Sequence, residues 1–301
     1  MSRGRSILAF GTLAVLWGLS VTAVEVGLAG FPPLLFAAFR YDAAGVLLLA
    51  YVAWARSRWL PRTRGDLVAI SGGGLFWIAV GNGVWFVGQG LTTSVVAGLM
   101  TSLIPIATTG VSWVALPEDR LRPAGVAGLV ISFAGAMLLF WPTGSTPLQP
   151  ALVGKGLLFV AVLGTAVGGV LIRLAAARLP RSGQTAWSVL VGAAIIHGLS
   201  WLAGESWSLE LTVTSVGALA YLVVPGTVAA YLLFFSLYDD HSAIEISLVT
   251  YLVPVVAAVA GWLVLGEPVT PQLVLGFAVI VVGFGLMKRR ALAAEYGALR
   301  A

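Results

Sequence analysis

Apolar runs of about twenty residues recur along the chain, separated by short stretches rich in polar residues, proline and glycine. The first five runs fall near 7–28, 33–54, 67–88, 93–115 and 123–141, and the second five near 154–174, 184–203, 214–236, 243–264 and 272–287. Each is long enough to cross the hydrocarbon core of a bilayer as an α-helix. The pattern predicts an all-α integral membrane protein of ten transmembrane helices. Connections are short, and the stretch from Pro142 to Pro150 reads as a joint between two halves, residues 1–150 and 151–301, that together make one transport-type domain.

Composition supports lipid as the solvent. Hydrophobic residues make up 59% of the 301, charged residues 10%, and the mean hydropathy is +0.99. In hydrocarbon every backbone polar group must be satisfied internally, which leaves helices or a closed barrel, and the run lengths choose helices. The net charge of +5 does not point to nucleic acid, because the basic residues alternate from loop to loop. Arg3 and Arg5, Arg56 to Arg64, Arg120 and Arg122, Arg173 to Arg181, and Lys288 to Arg300 all fall on one side of a ten-span topology. The opposite loops hold Glu205, Glu210 and Glu267, with Lys155 the exception at the outer start of the sixth span. By the positive-inside rule both termini are expected in the cytoplasm. Met1 to Phe10 is not followed by a short apolar core and a small-residue cleavage site, so the first helix is expected to be retained. The chain has no cysteine, which removes disulfides and thiolate chemistry.

The halves repeat. Thr101, Leu103, Pro105, Trp113, Leu116 and Glu118 recur as Thr250, Leu252, Pro254, Trp262, Leu265 and Glu267, all at an offset of 149, and Gly128 and Gly135 recur one residue out of step as Gly276 and Gly283. Five spans per copy force the second copy to enter the membrane upside down, giving two inverted five-helix repeats. Inversion of this kind is the architecture of alternating access, with substrate held near the midplane between the copies.

Two segments carry a family resemblance: "GLTTSVVAGLMTSLIPIATTGVSWVALPEDRLRPAGVAGLVISFAGAMLL" and "SAIEISLVTYLVPVVAAVAGWLVLGEPVTPQLVLGFAVIVVGFGLM". With "VLWGLSVTAV" from Val15 to Val24 and Arg40 in "AAFRYDAAGVLLL", they resemble the EamA-type repeats of the drug/metabolite transporter superfamily. Pro117 and Asp119 around Glu118 depart from the Gly-Glu usual in the family and present at Gly266 and Glu267. The resemblance implies an exporter of amino acids and related metabolites from the cell across the inner membrane, similar to the aromatic amino-acid exporters. A phosphorylated-sugar or nucleotide-sugar translocator of the same superfamily is the alternative, and a membrane enzyme, channel or scaffold the alternative of another class.

Candidate chemistry is sparse. HExxH, GxSxG and P-loop patterns are missing, so no enzyme, no metal, no cofactor and no nucleotide drive are expected. His197 reads as a neutral imidazole bonded to a neighbouring helix, and His241 lies far from it in the chain. A charge in a span costs about 2.5–3.5 kcal/mol on insertion scales, so Arg40 needs a partner. Glu25, on the preceding helix and at a depth differing by roughly 6 Å, is the expected one, giving a structural ion pair in preference to direct substrate contact. Asp239, Asp240 and Glu245 are expected to be solvated at a span end.

Polar and aromatic residues that would line a cavity gather in spans three, four, eight and nine, among them Trp77, Gln89, Tyr221 and Thr227. The predicted substrate-binding set is Trp85, Tyr231, Asn82, Thr101, Ser247 and Thr250. Gly90 and Leu91 after Trp85 match Ser236 and Leu237 after Tyr231, which suggests that the two aromatics face each other across a pseudo-two-fold axis. Asn82, Trp85 and Gln89 share a helix face, where the amides serve either as cavity lining or as interhelical glue. Pro105 and Pro254, at matching repeat positions, are the candidate hinges, and Pro225 should bend the eighth span. Trp54, Trp59, Trp141, Trp201 and Trp207 fit an interfacial belt. Partners are therefore a small-molecule substrate and the bilayer, without nucleic acid, and the oligomeric state is left open.

Overall fold

The computed structural model describes residues 3–116, 121–141, 148–240 and 243–298, with side chains unassigned near the ends of these segments, Ser247 and Glu245 among them. Glu118 with its neighbours Pro117 and Asp119, His241, and the proposed joint at 142–147 lie outside the described residues. The described chain is helical throughout: α1 (Arg3–Leu28), α2 (Pro33–Ala55), α3 (Arg64–Gln89), α4 (Ser94–Ala115), α5 (Pro123–Phe140), α6 (Leu148–Leu174), α7 (Arg181–Leu202), α8 (Val213–Leu237), α9 (Ala243–Leu265) and α10 (Pro271–Ala298). Nine of these are long and apolar enough to cross a membrane, and α9 joins them with a shorter apolar stretch, Val249–Leu265. The ten-helix membrane fold read from the apolar pattern is the one observed.

Packing follows the repeat. α5 lies along α10, α2 along α7, α3 along α6 and α7, and α1 along α9. Contacts between the halves are reciprocal, as a pseudo-two-fold axis requires. Gly128 meets the backbone of Gly283, and Gly135 that of Gly276, each pair exchanging first-repeat and second-repeat equivalents. Such close approach needs a residue without Cβ, since a methyl at Gly128 or Gly135 would stand 2.5 or 2.8 Å from the facing carbonyl oxygen. Gly45 on α2 abuts Leu190 on α7.

Two stretches depart from α geometry. Gly73–Gly83 in α3 and Val224–Ala229 in α8 are π-helical, widening the turn by one residue. Their last turns are closed in the same way: Asn82 Nδ2 donates to Trp77 O at 2.8 Å, and Thr227 Oγ1 donates to Leu222 O at 2.7 Å, both reaching back five residues. Pro225 sits in the second stretch, where its missing N–H leaves a carbonyl without its usual partner. Pro105 follows a single 3-10 turn, Thr101–Leu103, that interrupts α4, whereas α9 runs helically through Pro254. The two matched prolines therefore sit in unlike local geometry.

Carboxylates fix several helix ends. The first N–H groups of a helix lack intrahelical acceptors and carry the positive end of its dipole. Glu205, after α7, accepts from Leu34 N–H and Leu35 N–H at 2.9 Å each, and from Ser200 Oγ at 2.7 Å. Glu267, after α9, accepts from Ser94 N–H at 2.9 Å and Val95 N–H at 2.7 Å at the start of α4. In both cases the residue closing a second-repeat helix caps its first-repeat equivalent. Asp66, fully buried, joins the loop before α3 to the loop before α7 by accepting from Arg62, Thr63, Arg178 and Leu179 N–H groups. Lys155 stands two turns inside α6 rather than at its start, because α6 begins earlier than its apolar pattern; its ammonium donates to Trp141 O beyond α5, a cation at a helix C-terminus.

Candidate functional site

A cavity of about 330 Å³ lies where the repeats meet, walled by α1, α2, α3, α4, α6, α8 and α9. Some of its polar lining comes from matched places. Ser20 on α1 packs on Gly226 in α8, and Thr165 on α6 packs on Gly81 in α3, so each hydroxyl enters the gap left by a glycine of the other repeat. Both hydroxyl residues line the cavity, as do Gly81 and Asn82. Serine with threonine, glycine with glycine, and Asn82 with Thr227 are all separated by 145 residues.

Trp85, Tyr231, Asn82, Thr101 and Thr250, all expected at the site, line this cavity, and the Ser247 side chain lies outside those described. Trp85 and Tyr231 are not repeat equivalents, however. The spacing of 145 pairs Tyr231 with Phe86, another lining residue, and the ring that packs on Tyr231 is Trp77, at 5.6 Å between centroids. The one-residue error arises because π turns shift the register of α3 and α8, which a helical repeat of 3.6 does not anticipate.

Hydrogen bonding decides what each polar group offers. Asn82 uses one of its two amide N–H groups on Trp77 O and keeps the other beside its carbonyl oxygen, whereas Thr101 Oγ1 donates to Gly98 O at 2.7 Å and is left as an acceptor. Thr250 and the Tyr231 phenol form no hydrogen bond with another described residue and can donate or accept. Trp85 Nε1 donates to Gln89 Oε1 at 3.2 Å, and Gln89 Nε2 donates to Val21 O at 2.7 Å and to Glu25 Oε2 at 3.2 Å. Gln89 is thus interhelical glue that holds an aromatic wall, while Asn82, whose bond stays within α3, lines the cavity.

The expected Glu25 and Arg40 ion pair is not formed among the described residues. Arg40, 8% exposed, lines the cavity and donates from Nε to Thr227 Oγ1 at 3.0 Å, with its guanidinium carbon 4.9 Å from the Tyr41 ring centre and 5.8 Å from that of Phe86. Glu25 is engaged by Gln89 instead. The tight hairpin through Gly30 brings α1 and α2 together at one end only, and their contact is slight along the spans. Asp42, two residues from Arg40 and on another helix face, takes His197 Nε2 at 2.6 Å. That bond across α2 and α7 agrees with the helix-bridging role expected of His197, in a cluster with Phe39 and Trp207.

Trp17, Ser20 and Thr165 were not singled out in the sequence, yet they line the cavity. Aligning the first and third spans of each copy at their own offset, rather than carrying 149 back from the fourth, would have matched Ser20 to Thr165 and Gly81 to Gly226.

A ten-helix bundle of two related halves with a solute-sized cavity between them defines a membrane transporter in architecture. The chain belongs to the EamA-like transporter family, whose model matches twice, over residues 4–141 and 152–289. Relatives include the uncharacterized transporter YoaV of Bacillus subtilis (strain 168), 26% identical over 90% of this chain and 92% of its own length. The uncharacterized inner membrane transporter YedA of Escherichia coli (strain K12) is 28% identical over 91% of this chain and 89% of its own. Protein PecM of Dickeya dadantii (strain 3937) is 27% identical, covering 91% of both. A known crystal structure shares the fold, with a TM-score of 0.67 over 98% of this chain and 100% of the other at 24% identity. The family and the YoaV and YedA relatives are transporters by description, not enzymes.

Proposed function

We propose that the chain is a secondary carrier that exports amino acids or related small metabolites across the inner membrane by alternating access, residues 1–150 and 151–301 acting as the two inverted repeats. The observation that carries this reading is the cavity between the repeats, lined by both, whose volume of about 330 Å³ falls within the range of roughly 300–1,000 Å³ of small-molecule sites. Substrate sits against Trp85 and Tyr231, with Asn82, Thr101, Ser247 and Thr250 supplying hydrogen bonds, and Pro105 and Pro254 lie where the cavity-lining segments of α4 and α9 flex. Aromatic walls suit an apolar or aromatic side chain, and amide or hydroxyl groups suit an ammonium. A phosphorylated solute would call for several cations, whereas among the described residues Arg40 is the one lysine or arginine lining the cavity.

Purified protein in liposomes, offered a panel of labelled amino acids with and without a pH gradient, tests the reading. Replacing Trp85 and Tyr231 together by alanine should reduce transport of the preferred amino acid at least tenfold while leaving the protein monodisperse. Normal transport by that double variant removes this cavity as the site, and a strict requirement for phosphorylated solutes removes the amino-acid reading.

The basic loops support a topology with both termini in the cytoplasm and Glu205 to Glu210 on the far side. The YedA relative is described as an inner membrane protein, which supports the same membrane here. Since the native chain has no cysteine, single cysteines at 58 and 207 can be probed with an impermeant thiol reagent in spheroplasts. Position 207 should label and 58 should not; the opposite result inverts the topology.

A further inference from the structure

We propose that Arg40 recognises a carboxylate of the substrate, a proposal that rests on reading the cavity as the transport site and narrows its ligand to carboxylate-bearing molecules. A buried guanidinium without a counter-charge is costly, and proteins pair or neutralise such groups. Arg40 is more than nine-tenths buried, faces the cavity, and has neither an ion pair nor, beyond its Nε bond to Thr227, another hydrogen bond among the described residues. The nearby carboxylates are committed elsewhere, Glu25 to Gln89 and Asp42 to His197.

The environment fixes the guanidinium in place. Thr227 Oγ1 accepts from Arg40 Nε while donating to Leu222 O, so its hydroxyl proton is directed away and its oxygen is held toward the arginine. Phe86 and Tyr41 lie beside the guanidinium plane. With Nε used, the Nη groups remain as a planar pair of donors, the arrangement that takes a carboxylate through two parallel bonds. Thr227 is then a positioning residue, and the π turn that carries it sets the angle of the fork. Trp77 and Tyr231 line the same cavity and would take the remainder of the ligand.

Phenylacetate, its neutral isostere phenylacetamide and phenyl phosphate are the probes, each titrated against the purified full chain in detergent while thermal unfolding is followed. The wild type should be stabilised saturably by phenylacetate, with apparent affinity at least about tenfold above that for phenylacetamide, as bonds to a charged group imply. Arg40→Gln should abolish that preference without lowering the unfolding temperature of the unliganded protein, because it removes a charge that lacked a partner. Arg40→Lys, which keeps the charge but not the fork, should lose about tenfold in affinity. Thr227→Val should reduce the preference and Thr227→Ser should restore it, a distinction that packing alone would not produce. If Arg40→Gln cannot be purified, Arg40→Lys decides. Wild-type affinity for phenylacetate in the purified Arg40 variant, no preference in the wild type, or stronger binding of phenyl phosphate overturns the proposal. Binding that behaves as expected in a protein that transports none of the amino-acid panel retires the amino-acid reading while keeping Arg40 as the carboxylate site.

Discussion

Carboxylates hold helix starts of this fold through backbone N–H groups. Glu205 and Glu267 each use both oxygens on successive N–H groups at a helix start, and each also takes a serine hydroxyl, from Ser200 and Ser94. A serine, threonine, asparagine or aspartate N-cap is worth about 0.5–2 kcal/mol, and a bond to a charged group about 1.5–3 kcal/mol, so the Glu267 bridge should contribute at the upper end. Glu267→Ala is expected to lower the unfolding temperature and the folded yield, costing about 2 kcal/mol, and Glu267→Gln less, since one amide oxygen still accepts. Thermal denaturation in detergent compares them; equal stability of the alanine variant and the wild type would show that the bridge is dispensable. The sequence placed Glu205 and Glu267 in acidic loops opposite the basic ones, yet it offered no sign that each reaches the start of a helix more than 160 residues away. Such a role depends on tertiary approach, which local pattern does not encode.

At the scale of elements, what could be read depended on period. Ten apolar runs announced ten helices because in lipid the whole circumference of a span is apolar and its length alone is diagnostic. Interior irregularities were less visible. The π turns in α3 and α8 leave the composition unchanged and alter only the register, so Asn82 and Trp85 line the cavity as expected, Gln89 turns to Val21 and Glu25 on α1, and the partner of Tyr231 was displaced by one residue. Pro225 marked one of the two stretches, but α3 reaches the same geometry without a proline. Likewise Pro105 and Pro254 match in sequence, yet only the former coincides with a break in its helix, because Thr101–Leu103 tightens to a 3-10 turn ahead of it. The Glu25 and Arg40 pairing failed because neighbours in sequence were taken as neighbours along the span, whereas α1 and α2 make little contact and Arg40 turns to Thr227 on α8.

For the whole molecule, pseudo-symmetry separates contacts that survive an exchange of the repeats' conformations from contacts that cannot. If each repeat adopts the other's shape, reciprocal pairs map onto each other, as Gly128 with Gly283 and Gly135 with Gly276 do between α5 and α10, and Phe39 with Trp207 and Trp59 with Trp187 do where α2 and α7 meet. Those packed helices, α2 with α7 and α5 with α10, form the constant frame. Gly98 on α4 against Ala257 on α9 is different. Its symmetry mate would bring together residues 108 and 247, so the exchange replaces one contact by the other, near Thr101 and Thr250 in the cavity wall. The Glu267 bridge closes the same end, since it ties the end of α9 to the start of α4. A cysteine pair replacing Gly98 and Ala257 should therefore stop transport in liposomes when oxidised and release it on reduction, while a pair replacing Gly45 and Leu190 should leave transport within about twofold in either state. The control is internal, because both pairs join the two repeats and both sit in the same cysteine-free chain. Full transport by the oxidised 98/257 variant, with cross-linking verified by mobility after cleavage between the repeats, would mean that α4 and α9 move as one body and that opening must occur elsewhere.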